Sequence, residues 1–586
     1  GLWVGNDSLP NKNEDLIKEF KGKLNLDREN KIPLANCPWC KSKIQGEERE
    51  DSDSLSVFNK KRVHLKCSNR KCAFSFGIGR NRGNYKGPIP VSLSDEIIYH
   101  HPPALLFGTV DKFAQLAHKV NNNSLNSTSD SRRLFGRGNW ETGKPSEGYQ
   151  PPDLVIQDEL HLISGPLGTI AAVYETAFDL LIQRQNKSIL GVEIGPKYIA
   201  SSATVRDSES QIQRLMGRGS AIFPPRGLRS SDSFYAKDDS DESKARLYIG
   251  LMAQGLNTTS SAHWTAAAIL QSVRFLAESR SLPASDVDFL WSAVCYCNSK
   301  RELGLLNAST NNEILARMRV NAEIQGLDSQ TVKGLRKEEV SSQGVKNITE
   351  TRSNLLIPLT DSRDTAVRDF IPATNMISVG VDINRLGVMM INGQPKTTAE
   401  YIQASSRVGR SPDKNGPGLV VTLYSPSKPR DRSHYEHFQA YHETLYRLVE
   451  PTSVTPASQQ ALDRALHAAL VICLRHSVIS LRNHPTGFNP EDSEIKKVMS
   501  GLRARLIACY PSSPEYDYER SNIDRRFEEI LDRWMKLIRD HPNLIYKSKS
   551  RDQRGLLKLF TDSKRDPGLP TMQSMRSVDV AIPVKF

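Results

Sequence analysis

Short apolar runs alternating with stretches of helical period constrain this chain more than any other feature. Asp153-Leu-Val-Ile156, Lys197-Tyr-Ile-Ala200, Phe289 to Cys297, Met376-Ile-Ser-Val379, Val388-Met-Met-Ile391 and Leu419 to Tyr424 read as strands. Ala104-Leu-Leu-Phe107 reads as a further short buried strand, followed by a helix from Val110 to Val120. Ile170 to Gln185 and Ala266 to Glu278 carry helical spacing. Strands alternating with helices predict parallel sheets, and so an α/β fold. Beyond residue 430 the pattern becomes helical, over Tyr435 to Val449, Ser458 to Arg482 and Asn522 to Asp540. No repeat of about 20–50 residues appears, which argues against a solenoid. The richest apolar stretch, Ala468 to Leu474, is far shorter than the ~20 residues a membrane span needs. The reading is of a soluble intracellular protein.

Charge narrows the partners. The 586 residues hold 79 Lys and Arg against 66 acidic residues, a net charge of +13. Such a surplus suits a polyanion, whose counterions are released when basic side chains replace them; solubility alone is the competing explanation. The polar stretch 121–150, with Arg132, Arg133 and Arg137, reads as a long exposed loop that could gate a nucleic-acid strand.

Four of the eight cysteines share one window, as Cys37-Pro-Trp-Cys40 and Cys67-Ser-Asn-Arg-Lys-Cys72. Reduced thiols paired at such spacing favour metal ligation over a disulfide. Two knuckles can close a tetrahedral structural Zn²⁺ site with no open position for catalysis, His64 standing by as a substitute ligand.

The chemistry begins at Val155-Ile-Gln-Asp158-Glu159-Leu-His161, a strand that ends in two carboxylates. Open α/β sheets bind ligands at that edge, where an Asp can hold Mg²⁺ and a Glu can polarise the water that attacks a γ-phosphate. Ser202-Ala-Thr204 follows a later strand. Next come Thr374-Asn-Met-Ile-Ser-Val-Gly380-Val-Asp382 and Gln403-Ala-Ser-Ser-Arg407-Val-Gly-Arg410. This series resembles motifs II, III, V and VI of superfamily 2 helicases, in order. His101 to Phe113, containing Thr109, resembles motif Ib, and Val294-Cys-Tyr-Cys-Asn298-Ser-Lys300 resembles motif IV.

The resemblance implies two RecA-like lobes, ATP with Mg²⁺, and DNA as partner. Asp158, Glu159, Gln403, Arg407 and Arg410 would be catalytic, Arg410 being the arginine finger. Gly380, Asp382 and His161 would serve the nucleotide, although His161 also suits a packing role. Thr109, Ser202, Thr204, Asn298 and Thr374 would contact nucleic acid or couple to it. The implied organisation is a first-lobe segment at 1–90, with the zinc insertion at about 30–80, and the remainder of lobe 1 at 91–205. A linker or insertion at 206–285, lobe 2 at 286–428 and a helical C-terminal domain at 429–586, capping lobe 2 or docking a partner, complete it.

A Gly-x4-Gly-Lys-Ser/Thr loop occurs nowhere, and the chain begins at Gly1. The expectation is that this loop lies upstream; the alternative is a non-catalytic nucleic-acid scaffold. Pro152 to Thr169, Leu2 to Pro10 and Val449 to Pro456 together resemble the DrmA-type helicases of bacterial DISARM antiphage systems. That likeness implies a partner with a DUF1998 domain.

Overall fold

The computed structural model describes residues 1–5, 9–20, 34, 36–50, 61–75, 87–118, 130–136, 150–202, 208–225, 241, 244–342, 348–360, 366–378, 382–411, 416–450, 453–548, 553–560, 562 and 566–575. The chain divides into two compact units, one of Gly1–Ala221 with Pro451–Phe586 and the other of Ile222–Glu450.

Among the described residues the first unit holds a three-stranded sheet of Ile545–Lys547, Gly555–Lys558 and Leu569–Pro570 and three two-stranded sheets: β1 (Leu2–Trp3) beside β4 (Phe107–Gly108), β2 (Ile44–Glu50) beside β3 (Lys61–Cys67), and β5 (Leu154–Gln157) beside β6 (Lys197–Ala200). The first and last pairs are parallel, and β2–β3 is antiparallel. Ala104–Phe107 is not the buried strand its composition suggests. Only Phe107 joins the ladder, and Leu105 and Phe107 are both more than 60% exposed.

The helix Gly165–Leu190 starts after Ser164, with Pro166 in its first turn, and ends at Gly191 in the left-handed conformation. Those boundaries follow from proline's fixed φ and glycine's tolerance of positive φ. Its Ala171, Tyr174, Ala177, Phe178 and Leu181 share one core with the C-terminal helices His467–Ser477, Ser493–Ala508 and Asp517–Asp540. Ala468 to Leu474 are fully buried there. The C-terminal region was expected to cap the second lobe or dock a partner. Residues from 451 onward pack as part of the first unit, because a helix apolar on nearly every face needs several covering neighbours.

The second unit is built on a five-stranded parallel sheet. Its order is β7 (Leu247–Met252), β11 (Leu419–Tyr424), β10 (Val388–Asn392), β8 (Ala293–Cys297), β9 (Phe370–Ala373). The sheet has a core on each face: Val388 and Met390 join Cys295 on one side, and Met389 and Ile391 join Val294 and Tyr296 on the other. This period-two split is that of a parallel sheet covered on both faces. Leu247 to Met252 and the helix Thr258–Ser279, placed by sequence in a linker, are a strand and a covering helix of this unit. Met376-Ile-Ser378 is not a strand, since Asn375–Ser378 is a 3-10 turn in which the Ile377 amide donates to the Thr374 carbonyl, and Val379 lies outside the described residues. The strand is β9, just before it, ending the sheet order where Pro372 is tolerated.

In the stretch 121–150, residues 130–136 and residue 150 are described. Asp130 caps the turn Ser131–Phe135, and Arg132, 3% exposed, pairs with it. Arg133 donates to the His100 carbonyl. Arg132 and Arg133 are therefore structural rather than parts of an exposed gate, because a buried guanidinium needs a carboxylate or carbonyl. Arg137 lies outside the described residues.

Candidate active site

Motifs II and III meet at the carboxyl ends of β5 and β6. Parallel pairing puts Gln157 opposite Ala200, and the next residues of both strands lie side by side. The Ser201 amide donates to the Gln157 carbonyl, and the Leu160 amide donates to the Ser201 carbonyl. The Ser201 hydroxyl donates to Asp158 Oδ1 at 2.5 Å, and the Glu159 amide donates to the same oxygen at 3.0 Å. Both bonds fall on one oxygen, so the carboxylate of exposed Asp158 is fixed in orientation with Oδ2 turned to other use. That donor set fits a hydrated Mg²⁺, a hard cation that takes one or two carboxylates and keeps its waters.

Glu159 has φ +54°, the left-handed region. A non-glycine residue there is strained, and such strain marks sites where the surroundings dictate conformation. His161 Nδ1 lies 3.4 Å from Glu159 Oε2 and 3.1 Å from Ser202 Oγ. His161, Glu159 and Ser202 thus form one chain of polar contacts. Thr204 lies outside the described residues. Ser201 was not singled out from the sequence; the signal was the adjacent Ser201-Ser202 pair closing β6. Behind the strand, Gln157 donates to Glu175 at 2.8 Å, and burial pushes the Glu175 carboxyl up to about 7.

In the second unit, the helix Thr398–Ser405 begins at Thr397, whose hydroxyl accepts from the Glu400 amide. Its amino end is also held by Glu450, which accepts from the Thr398 amide and hydroxyl. Gln403 and Arg407, four residues apart, are half-buried near its end. Gly409 then turns the chain at φ +63°, and a Cβ there would lie 2.6 Å from Gly418 backbone atoms. Arg246 Nε donates to the Val408 carbonyl at 2.8 Å, fixing this turn. Arg410 follows and pairs with Asp382. Asp382, expected near a ribose, thus neutralises the expected finger in this state. Gly380 lies outside the described residues.

The nucleic-acid candidates are less uniform. Thr109 precedes the helix Val110–Gln115, its amide donating to the Trp3 carbonyl, and is half-buried. Thr374 directly follows β9, its amide donating to the Val340 carbonyl, with the side chain half-buried. Asn298 is committed internally. Its Nδ2 donates to the carbonyls of Asn392 and Gly393, both at 2.9 Å, joining the ends of β8 and β10. That side-chain amide has no proton left for a phosphate.

The cysteine window comes together. Cys40 and Cys67 sulfurs are 3.3 Å apart, Cys37 and Cys72 sulfurs are 3.8 Å apart, and all four lie within 4.8 Å of one another. A tetrahedral Zn²⁺ with Zn–S near 2.3 Å requires sulfur–sulfur edges of about 3.8 Å, so the four thiols fit that ion. Hydrogen bonds from Ser42 hold the Cys40 thiol down to about 6, and burial pushes Cys67 up to about 12. His64 is not part of the cluster.

Residues 291–412 match the helicase conserved C-terminal domain. The chain is 34% identical over 621 aligned residues to "DISARM protein DrmA" of Bacillus paralicheniformis, an alignment covering 99% of this chain and 52% of that protein. The chain thus spans about half the length of this curated relative. Among solved structures it is similar to the DUF1998 helicase MrfA bound to DNA, with TM-score 0.42 and 15% identity over 70% of this chain and 45% of that one. The Mycobacterium smegmatis helicase Lhr bound to ssDNA and AMP-PNP gives TM-score 0.42 and 15% identity, over 74% and 42%. Among the described residues, no helix is long and apolar enough to cross a membrane.

Proposed function

This chain belongs to the helicases related to DISARM protein DrmA, and on that premise we propose that it is the ATP-driven DNA translocase module of an antiphage complex. The observation that carries the reading is the fixed Asp158–Glu159 pair, one carboxylate oriented by Ser201 and the other beside His161 and Ser202. Asp158 would hold Mg²⁺, which supplies charge neutralisation on the phosphates. Glu159 accepts a proton from the attacking water as its oxygen bonds to the γ-phosphorus, and the bond from that phosphorus to the ADP oxygen breaks. The helicase resemblance assigns Gln403 to orienting the water, and Arg407 and Arg410 to stabilising the charge that spreads over the phosphoryl oxygens. Arg410 must exchange Asp382 for phosphate in each cycle. The His161–Ser202 contact then gives nucleotide state a route to the strand-binding residues. Four cysteines hold a structural Zn²⁺, and a DUF1998-bearing protein is the expected partner.

No phosphate-cradling Gly-x4-Gly-Lys-Ser/Thr loop occurs among these 586 residues. Leu154, Ile156 and Ile199 on the two strands of the acidic site are 47, 62 and 48% exposed, whereas parallel strands are normally covered on both faces. The absence of a Gly-Lys-Ser/Thr loop within the chain favours a second reading, a nucleic-acid scaffold without turnover. Glu159→Gln in the full-length protein decides: ATP turnover should fall at least about a hundredfold with nucleotide binding retained. Turnover within about twofold of the parent removes the water-positioning role, and a parent without turnover favours the scaffold.

A further inference from the structure

Trp39 sits at the tip of the first cysteine knuckle and is 74% exposed. The turn that carries it is pinned at both ends. The Lys41 amide donates to the Cys37 carbonyl at 2.9 Å, and the Cys37 amide donates to the Ser42 carbonyl at 2.7 Å, with Lys41 at φ +62°. Among the described residues the Trp39 indole meets the ring of Phe74 of the second knuckle, edge-on at 6.3 Å. Lys41, Arg70 and Lys71 are exposed on the two knuckles, and none has an ion-pair partner among the described residues. The knuckles are drawn together by the Cys40–Cys67 approach and by Asn69 Nδ2, 4.0 Å from Cys40 Sγ.

An exposed aromatic ring carried on the same pair of knuckles as three exposed cations is the chemistry that recognises a single strand of nucleic acid, bases stacking while cations meet phosphates. We infer that the face formed by Trp39, Lys41, Arg70 and Lys71 is a second single-stranded nucleic-acid site, separate from the motif residues, with one base stacked on the Trp39 indole. A duplex offers no free base face, so the site discriminates strand from duplex without reading sequence. The inference rests on the nucleic-acid half of the proposed function and is independent of ATP turnover.

The test is equilibrium binding of fluorescein-labelled oligo-dT and of a blunt duplex to the full-length protein carrying Trp39→Ala, Trp39→Phe or Lys41→Gln/Arg70→Gln/Lys71→Gln. Trp39→Ala should weaken oligo-dT binding about five- to a hundredfold, leaving duplex binding and nucleic-acid-free ATP turnover unchanged. Trp39→Phe should stay within about threefold of the parent. The triple variant should lower the slope of log affinity against log salt by about 2. Zinc content is measured in each; if Trp39→Ala loses the ion, Trp39→Phe and the triple variant decide alone. Unchanged oligo-dT affinity, or an unchanged salt slope in the triple variant, overturns the site, as would a Trp39→Ala defect confined to binding another protein. A parent without ATP turnover defeats the motor reading and leaves this one standing.

Discussion

Glu175 shows how one residue records the demands of its surroundings. It lies behind β5 with Gln157 as its hydrogen-bond donor, and burial pushes it up to about 7. The unfolded carboxyl titrates near its ordinary value of about 4.3. Between that value and 7 the folded protein keeps a proton that the unfolded chain has released. Stability from this group is therefore fully present below about pH 4 and is lost as pH rises through 7. Glu175→Gln removes the dependence. The variant should melt about 2–4 °C above the parent at pH 8 and gain little at pH 5, read by calorimetry or near-UV dichroism. An equal difference at both values would show that Glu175 does not titrate in this range. Its position between Gln157 and Tyr198, whose own hydroxyl it helps to push up, was not legible in the sequence. A glutamate inside a helical stretch carries no mark of the face it occupies.

Among elements, the turn after the helix Thr398–Ser405 is the most tightly specified. Gly409 combines positive φ with backbone contact to Gly418, so Gly409→Ala meets strain and collision together, at a cost of about 1–3 kcal/mol. Because Arg410 follows directly, ATP turnover in the full-length protein should fall by at least about tenfold; urea titration and hydrolysis rates read the two effects. Turnover unchanged alongside lost stability would separate Arg410 from the reaction. Elements with strong local signals were legible: β6 and β11 have the bounds the apolar runs imply. β7 and β9 were not. The first alternates exposed with half-buried positions at one end of the sheet order, and the second contains Pro372, so both lose the unbroken apolar run that marks an interior strand. Asn298 had the right position in the sequence, but pairing decided its use. Once β8 and β10 lie in register, its amide reaches two carbonyls.

At the scale of the molecule, the first unit is discontinuous and the second lies within it in sequence. Truncation after Glu450 should leave the five-stranded sheet unit resistant to limited proteolysis while the residues around Gly165–Leu190 are cut rapidly. Equal protection of both would refute the division. That prediction rests on Tyr174, Ala177 and Phe178, which are buried in the same core as Leu470, Leu502 and Trp534. During synthesis the ribosome must deliver 229 residues of unit two, Ile222 to Glu450, before the partners of that early helix emerge. At roughly 5–20 residues per second the delay is tens of seconds. For that interval the nascent segment 165–190 holds a sticky, unpaired surface in a crowded cell, so a holdase chaperone at this stage would govern the yield of functional protein more than the final stability does.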